Sequence, residues 1–337
     1  MAAVVCRSAA RTSRAAALLR AVPLSRGVSM AMVKELRAAT GAPVLQCKKA
    51  LDAPDVNGDF SAAVKWLREQ GMAKAATKAH RVAQNGLVGV AASDDGNSAV
   101  LVELNIETDF ASRTELFMDL LSGLSSTAVK HVKPEATPEE ALEALSAAET
   151  PDPESGGISI TKDAIKATAG KAGENIVLRR ARAVSAENGV VSTYVHNTAR
   201  QGMGKVGVAV AVGGPELDTS DAGKMAALAE AGTRVAMHIA VARPQYLDEA
   251  SIPAAVVEEE RALIMQSVDP SKPPAVAEKI VSGRMRKFFS ESCLVHQECL
   301  TDEEGRSVTA YLKAAAGGTP VTVQSYACFV AGEAEDR

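Results

Sequence analysis

Residues 103–117 read Glu103-Leu104-Asn105-Ile106-Glu107-Thr108-Asp109-Phe110-Ala111-Ser112-Arg113-Thr114-Glu115-Leu116-Phe117, an apolar strand that runs straight into a Thr-Asp-Phe corner and opens a helix. The helix is expected over about 112–124. Asp109 reads as its cap, a carboxylate able to accept the free N–H groups of the first turn. Phe110 stands seven residues before Phe117, on one helical stripe with Phe117, Leu121 and Leu124, so periodicity by itself favours burial of Phe110 in the core.

Working outward, residues 87–92 and 99–106 alternate in polarity around Ser93-Asp94-Asp95-Gly96-Asn97-Ser98, whose Asp-Gly pair predicts a β-hairpin. The order recurs: residues 189–195 and 206–212 alternate around a Gly-rich loop, and a helix is expected over 221–241. Between the copies, 176–184 reads as a strand and 134–157, rich in Pro, Glu and Ala, as a surface excursion. Further on, 258–266 and 274–289 predict two helices joined by the Pro-rich turn at 269–273. Strands are expected at 292–301 and 321–330, with a helix at 306–315 between them. Before the first hairpin, Met32 to Ala39 predicts a helix stopped at Gly41, Pro43 starts a second, and Asp59 caps a third over 60–70 that stops at Gly71. Val33, Leu36, Val44, Cys47, Ala50, Leu51, Val64 and Leu67 supply the facing surfaces of this small bundle, with Val44 and Leu45 open to either a core or a partner-facing role. Lys74, Lys78, His80 and Arg81 form a basic linker with no assigned role.

The fold class is therefore α+β: a three-helix bundle, then a duplicated core of antiparallel sheets packed with helices and carrying a short helical hairpin. The domain reading is 1–30 targeting segment, 31–80 helical domain and linker, 81–213 first core subdomain, 214–337 second core subdomain with the hairpin.

With 37 basic and 41 acidic side chains, the chain's net charge of -4 argues against binding nucleic acid by phosphate neutralisation. No apolar run approaches the roughly 20 residues of a membrane-spanning helix. Five scattered cysteines without Cys-x-x-Cys spacing support neither a disulfide framework nor a zinc site. Gly202-Met203-Gly204-Lys205-Val206 lacks the spacing and the hydroxyl of a phosphate loop and reads as a hairpin turn. His131, His196 and His296 have no metal-ligand spacing, and Ser292 with His296 lacks the nucleophile-elbow glycines. No catalytic constellation, metal set or cofactor is expected. Before Glu35 there is no acidic residue, whereas Arg7, Arg11, Arg14, Arg20 and Arg26 punctuate an Ala-, Leu- and Ser-rich stretch, the composition of an organelle transit peptide. The mitochondrial matrix is the favoured destination. The hydroxyl content leaves the chloroplast as the alternative.

The Thr108-Asp109-Phe110 corner resembles the signature of the elongation factor Ts family, and further pieces stand in that family's order. They are Val33-Lys34-Glu35-Leu36-Arg37, Cys47-Lys48-Lys49-Ala50-Leu51, Asn57-Gly58-Asp59, Trp66-Leu67-Arg68-Glu69, Asn85-Gly86-Leu87-Val88, Met237-His238-Ile239-Ala240, and Glu278 to Met285. The resemblance implies a bundle of the ubiquitin-associated type and a core of two subdomains. It also implies guanine-nucleotide exchange, without covalent catalysis, on an organellar elongation factor Tu in its GDP-bound and nucleotide-free states. Under it Phe110 projects outward as a wedge between helices of the partner's G domain, with Asp109 disturbing polar contacts there until magnesium is lost. Thr108 and Ala111 shape the corner. His238 is the second candidate contact, because the helical period places it about 120° from the stripe formed by Met225, Leu228, Gly232, Ala236 and Ile239, a position compatible with exposure. Val44 and Leu45 are candidate contacts of the bundle. The rival reading is a helical adaptor whose bundle binds ubiquitin-like proteins.

Overall fold

A computed structural model describes residues 28–40, 42–78, 80–269 and 272–333. The arginine-punctuated segment 1–27, Gly41, and two residues of the Pro-rich turn, 270 and 271, lie outside them. The chain divides into two compact units, with the boundary between Leu67 and Arg68.

The first unit holds α1 (Met30–Thr40), α2 (Val44–Asp52) and the first part of α3 (Phe60–Lys78). Pro43 precedes α2, and the Asp59 carboxylate accepts the Ala62 N–H at 2.7 Å to open α3. Val33, Leu36, Cys47, Ala50, Leu51, Val56 and Ala63 pack together as its core. Val44, at the first residue of α2, and Leu45 are exposed at 41% and 65%, which removes the core reading for both.

The helix α3 does not stop at Gly71. That glycine is a crossing point inside the second unit: a Cβ at Gly170 would lie 2.7 Å from the Gly71 backbone, so two glycines let the backbones touch. Arg68 pairs nearby with the buried Asp152 carboxylate at 2.7 Å.

The second unit continues with β1 (Asn85–Ala92), β2 (Ser98–Ile106), α4 (Asp109–Ser112), α5 (Glu115–His131), α6 (Pro138–Ala147), β3 (Glu149–Pro151), β4 (Ile158–Ile160), α7 (Thr161–Ala172) and β5 (Ile176–Ser185). A second series follows: β6 (Gly189–Arg200), β7 (Met203–Gly213), α8 (Ala222–Ala242), α9 (Ala254–Gln266), α10 (Pro274–Ser292), α11 (Val308–Ala315) and β8 (Thr322–Val330). All pairings between these strands are antiparallel. In each series the third strand pairs with the second, giving the order β1-β2-β5 in one and β6-β7-β8 in the other. A short pairing of Val88 and Gly89 with Gly204 and Met203 links them into one six-stranded sheet. The duplication is therefore visible in the topology: the second copy starts at Gly189 with β6, where the recurring alternation begins, and the strands form one linked sheet.

Strand periodicity explains the layering. Along β7, Val206, Val208, Val210 and Val212 face α8, while Ala209 and Ala211 meet Ala99, Leu101, Ala327 and Phe329 from the other strands. On the far side, Val100, Val102, Leu104 and Ile106 of β2 meet Phe117, Leu121 and Leu124 of α5. Thus β2 and β7 are buried on both faces, and the small residues of β7 sit where sheet meets sheet. Glu103 is fully buried in that middle layer; a bulge in β5 brings both Arg179 and Arg180 to it, at 3.7 and 2.6 Å, and Gly332 N–H donates to it at 2.8 Å.

Two further expectations change. Segment 134–157 contains α6, whose Ala141 and Leu145 join the core, opened by a reciprocal cap between Thr137 and Glu140. Segment 292–301 is not a strand: it holds a short 3-10 turn at Leu294–His296, with single bridges from Cys293 to Tyr246 and from Glu298 to Ser307. The hairpin of α9 and α10 stands on a small core of Ile264, Val281 and Met285.

Candidate functional site

At the end of β2 the chain leaves Ile106, buried in the core, and turns outward. Thr108 holds extended backbone angles (φ -122, ψ 151), and its hydroxyl accepts the Ala111 N–H at 3.3 Å, so Thr108 is the cap of α4 and Asp109 is its first helical residue. The cap expected of Asp109 belongs to its neighbour. The helix α4 ends after four residues, and α5 restarts at Glu115 with Thr114 before it. The helical count from Phe110 to Phe117 is thereby broken: Phe117 is 1% exposed and Phe110 is 89% exposed.

Such a short helix cannot hold itself, and polar clamps hold it from several sides. The Glu174 carboxylate accepts both the backbone N–H and the hydroxyl of Thr108, at 3.0 and 2.9 Å. Glu107 accepts the Asn175 N–H at 2.7 Å, and its carbonyl accepts from the Asn85 side chain at 2.8 Å. The Asp109 carboxylate lies 2.6 Å from the Lys205 ammonium of β7 and 3.2 Å from Arg113. The hydrogen bond from Lys205 holds the Asp109 carboxyl below the usual carboxylate range, outweighing the cost of desolvation, and Arg113 adds a lesser contribution in the same direction. The result is a charged, pinned base beneath a fully presented aromatic ring. Ala111, partly buried, packs against the core behind it.

His238 sits elsewhere and is not exposed. It is 1% accessible; Leu300 N–H donates to its Nδ1 at 3.2 Å, and its Nε2 lies 2.9 Å from the Gln297 amide oxygen. These partners select the neutral Nε2–H tautomer, and burial pushes its pKa down, opposed in part by the bond to Gln297. The expectation of exposure fails because α8 is covered on two sides, by β6 and β7 and by residues 297–301, whereas helical period registers one stripe only. Around His238 the surface is made by Met237, Val241 and Leu300.

Sequence reasoning missed Lys205 and Glu174. Lys205 belongs to the Gly-rich fragment discounted as a phosphate loop, and nothing in linear spacing pairs it with Asp109, 96 positions earlier. Among the described residues no group of acidic, His or Cys side chains could hold a metal ion, and no helix is long and apolar enough to cross a membrane.

Comparison with known proteins meets the same corner. A family model described as Elongation factor TS matches residues 107–333, beginning one residue before Thr108. Elongation factor Ts of Rhizobium etli is 42% identical over 313 residues, covering 92% of this chain and 94% of that protein. Elongation factor Ts of Agrobacterium fabrum is 44% identical over 271 residues (80% and 81%), and that of Rhodopseudomonas palustris 38% over 313 (92% and 94%). With the match extending over the corner, the layered core and nearly the whole chain, this protein belongs to the elongation factor Ts family.

Proposed function

We propose that the chain is a guanine-nucleotide exchange factor acting on elongation factor Tu during translation elongation, by binding and without covalent chemistry. The observation that carries this reading is Phe110: a large apolar ring, almost wholly solvent-exposed, on a backbone pinned by Glu174 and Lys205. An isolated exposed aromatic on a rigid mount is poised for insertion, since little conformational freedom is left to lose on docking.

An exchange factor accelerates nucleotide loss only by binding the nucleotide-free state of its partner more tightly than the nucleotide-bound one. Phe110 enters an apolar gap between G-domain helices and moves them; Asp109 perturbs the polar contacts beside it, and magnesium and GDP leave. Thr108 and Ala111 set the angle of the corner. Val44 and Leu45, exposed on α2, offer a second contact from the first unit. His238 is a support beneath Met237 and Leu300, not a direct contact in the free protein. The adaptor reading is not retained, because family similarity covers the whole core and not the bundle alone.

The proposed compartment is the mitochondrial matrix, on the arginine-rich, acid-free composition of residues 1–29; a chloroplast stroma is the alternative. The test is release of labelled GDP from purified elongation factor Tu. Substoichiometric amounts of the chain should accelerate release with turnover. Release at the spontaneous rate would sink the proposal.

A further inference from the structure

We infer that Lys205 is a positioning residue for the exchange corner, a role that rests on the exchange reading above. The helix α4 is four residues long, buries only Ser112, and carries Phe110 in solvent, so packing contributes little to its orientation. What orients it is polar, and the clamps come from different parts of the fold. Glu174, between α7 and β5, holds Thr108. Lys205 reaches from β7, in the second copy of the duplicated core, and touches two points at once: the Asp109 carboxylate at 2.6 Å and the Gly86 carbonyl at 3.1 Å.

Lys205 is itself firmly mounted. Its own carbonyl accepts the Ala331 N–H at 2.9 Å, its neighbour Val206 pairs with Val330, and every other residue of the strand is buried. The Lys205 side chain is 27% exposed and that of Asp109 44%, so water reaches the pair without separating it. Its geometry therefore does two things. It fixes the first residue of α4 relative to β7, and it neutralises a carboxylate that would otherwise repel Glu174, which binds the adjacent Thr108. Glu174, Glu107, Asp109, Lys205, Arg113 and Arg81, which pairs with Glu107 at 3.5 Å, are charged groups that hold or neighbour this corner. Positioning of this kind lowers the ordering cost at the moment of insertion, so it should affect the release step more than initial encounter.

The test is a double-mutant cycle on GDP release from elongation factor Tu, with wild type, Lys205→Met, Asp109→Asn and the double variant. Lys205→Met should slow release at saturating factor by about fivefold, the upper range for a partly exposed pair, with smaller change in the concentration giving half-maximal rate and near-native thermal unfolding. The double variant should be no slower than the slower single variant, and Lys205→Arg should restore most of the rate. Lys205→Met at the wild-type rate, or single effects that multiply in the double variant, overturns the inference. If Lys205→Met unfolds, Lys205→Gln, which keeps a donor for Gly86 but removes the charge, replaces it in the same cycle with the same expectations. Wild type without exchange activity refutes the functional reading instead, so the two failures are separable.

Discussion

Phe110 and His238 exchange the places that helical arithmetic assigns them. Seven-residue spacing puts Phe110 on the stripe of Phe117, but a stripe exists only while one helix continues, and the chain breaks at Arg113 and Thr114. Phe110→Ala should therefore leave stability within about 0.5 kcal/mol of wild type, as surface substitutions do, while GDP release slows strongly; thermal unfolding and release kinetics on one preparation check both. A buried Phe would instead cost about 3 to 5 kcal/mol. His238 carries the opposite expectation. Its folded pKa lies below the unfolded value near 6.5, so below that value the unfolded chain binds the proton more readily. The stability it contributes is complete above about 6.5 and is lost as pH falls from there toward the folded pKa. Urea titrations at about pH 7.5 and about pH 5.5 should show a larger loss for wild type than for His238→Gln, which cannot titrate; equal losses would place the histidine in water.

Elements were legible where a local signal was complete. The Asp95-Gly96 turn and the alternation around it gave the hairpin of β1 and β2, and the helix expected over 221–241 is α8, with Asp221 as its cap. The helix α6 was missed although its signal was present: Thr137-Pro138-Glu139-Glu140 is a capping box with proline at the first helical position. Composition rich in Pro and Glu suggested an excursion, but Ala141 and Leu145, four apart, were enough to dock one turn on the core. In β7 the alternation Val-Gly-Val-Ala-Val-Ala-Val carries more than a strand. Its small residues mark the face that meets another sheet, and at Gly207 a Cβ would come within 2.6 Å of Val88 and 2.8 Å of Val90. Gly207→Val should cost about 1 to 3 kcal/mol by overpacking, measured by chemical denaturation. A neutral result would mean that β1 and β7 can separate freely at this point.

At the scale of the molecule, the two copies of the strand–helix series are joined through a buried charge. Glu103 sits in the middle layer, paired with Arg180 and Arg179 and accepting from the backbone of Gly332, while Arg180 also donates to the Val330 carbonyl and lies over the Phe329 ring. Glu103→Ala leaves two arginines facing one another without their shared partner and should destabilise the fold by about 3 kcal/mol or more; an unchanged unfolding midpoint would show that water replaces the carboxylate. The proposed targeting segment belongs to the same scale. A chain starting at Val28 keeps Ser29, whose hydroxyl accepts the Met32 N–H at the start of α1. It should retain exchange activity in vitro and lose organelle import, read by fractionation of cells expressing it. Continued import would remove the transit-peptide reading.

By itself the sequence determined the class, the duplication and the family, because hairpin turns, caps and strand alternation depend on neighbours in the chain, and because the Thr108-Asp109-Phe110 corner is contiguous. It also placed the candidate wedge, though periodicity alone argued for burying it. Tertiary structure decided what depends on approach between distant segments. It exposed Phe110 by ending α4, buried His238 under residues 297–301, and carried α3 through Gly71 to the point where Gly170 meets it. It also set Lys205 against Asp109 across the linked sheets. Local signals act over a turn of helix or a pair of strands; burial and charge pairing depend on which surfaces meet, and that is settled only when the layers pack.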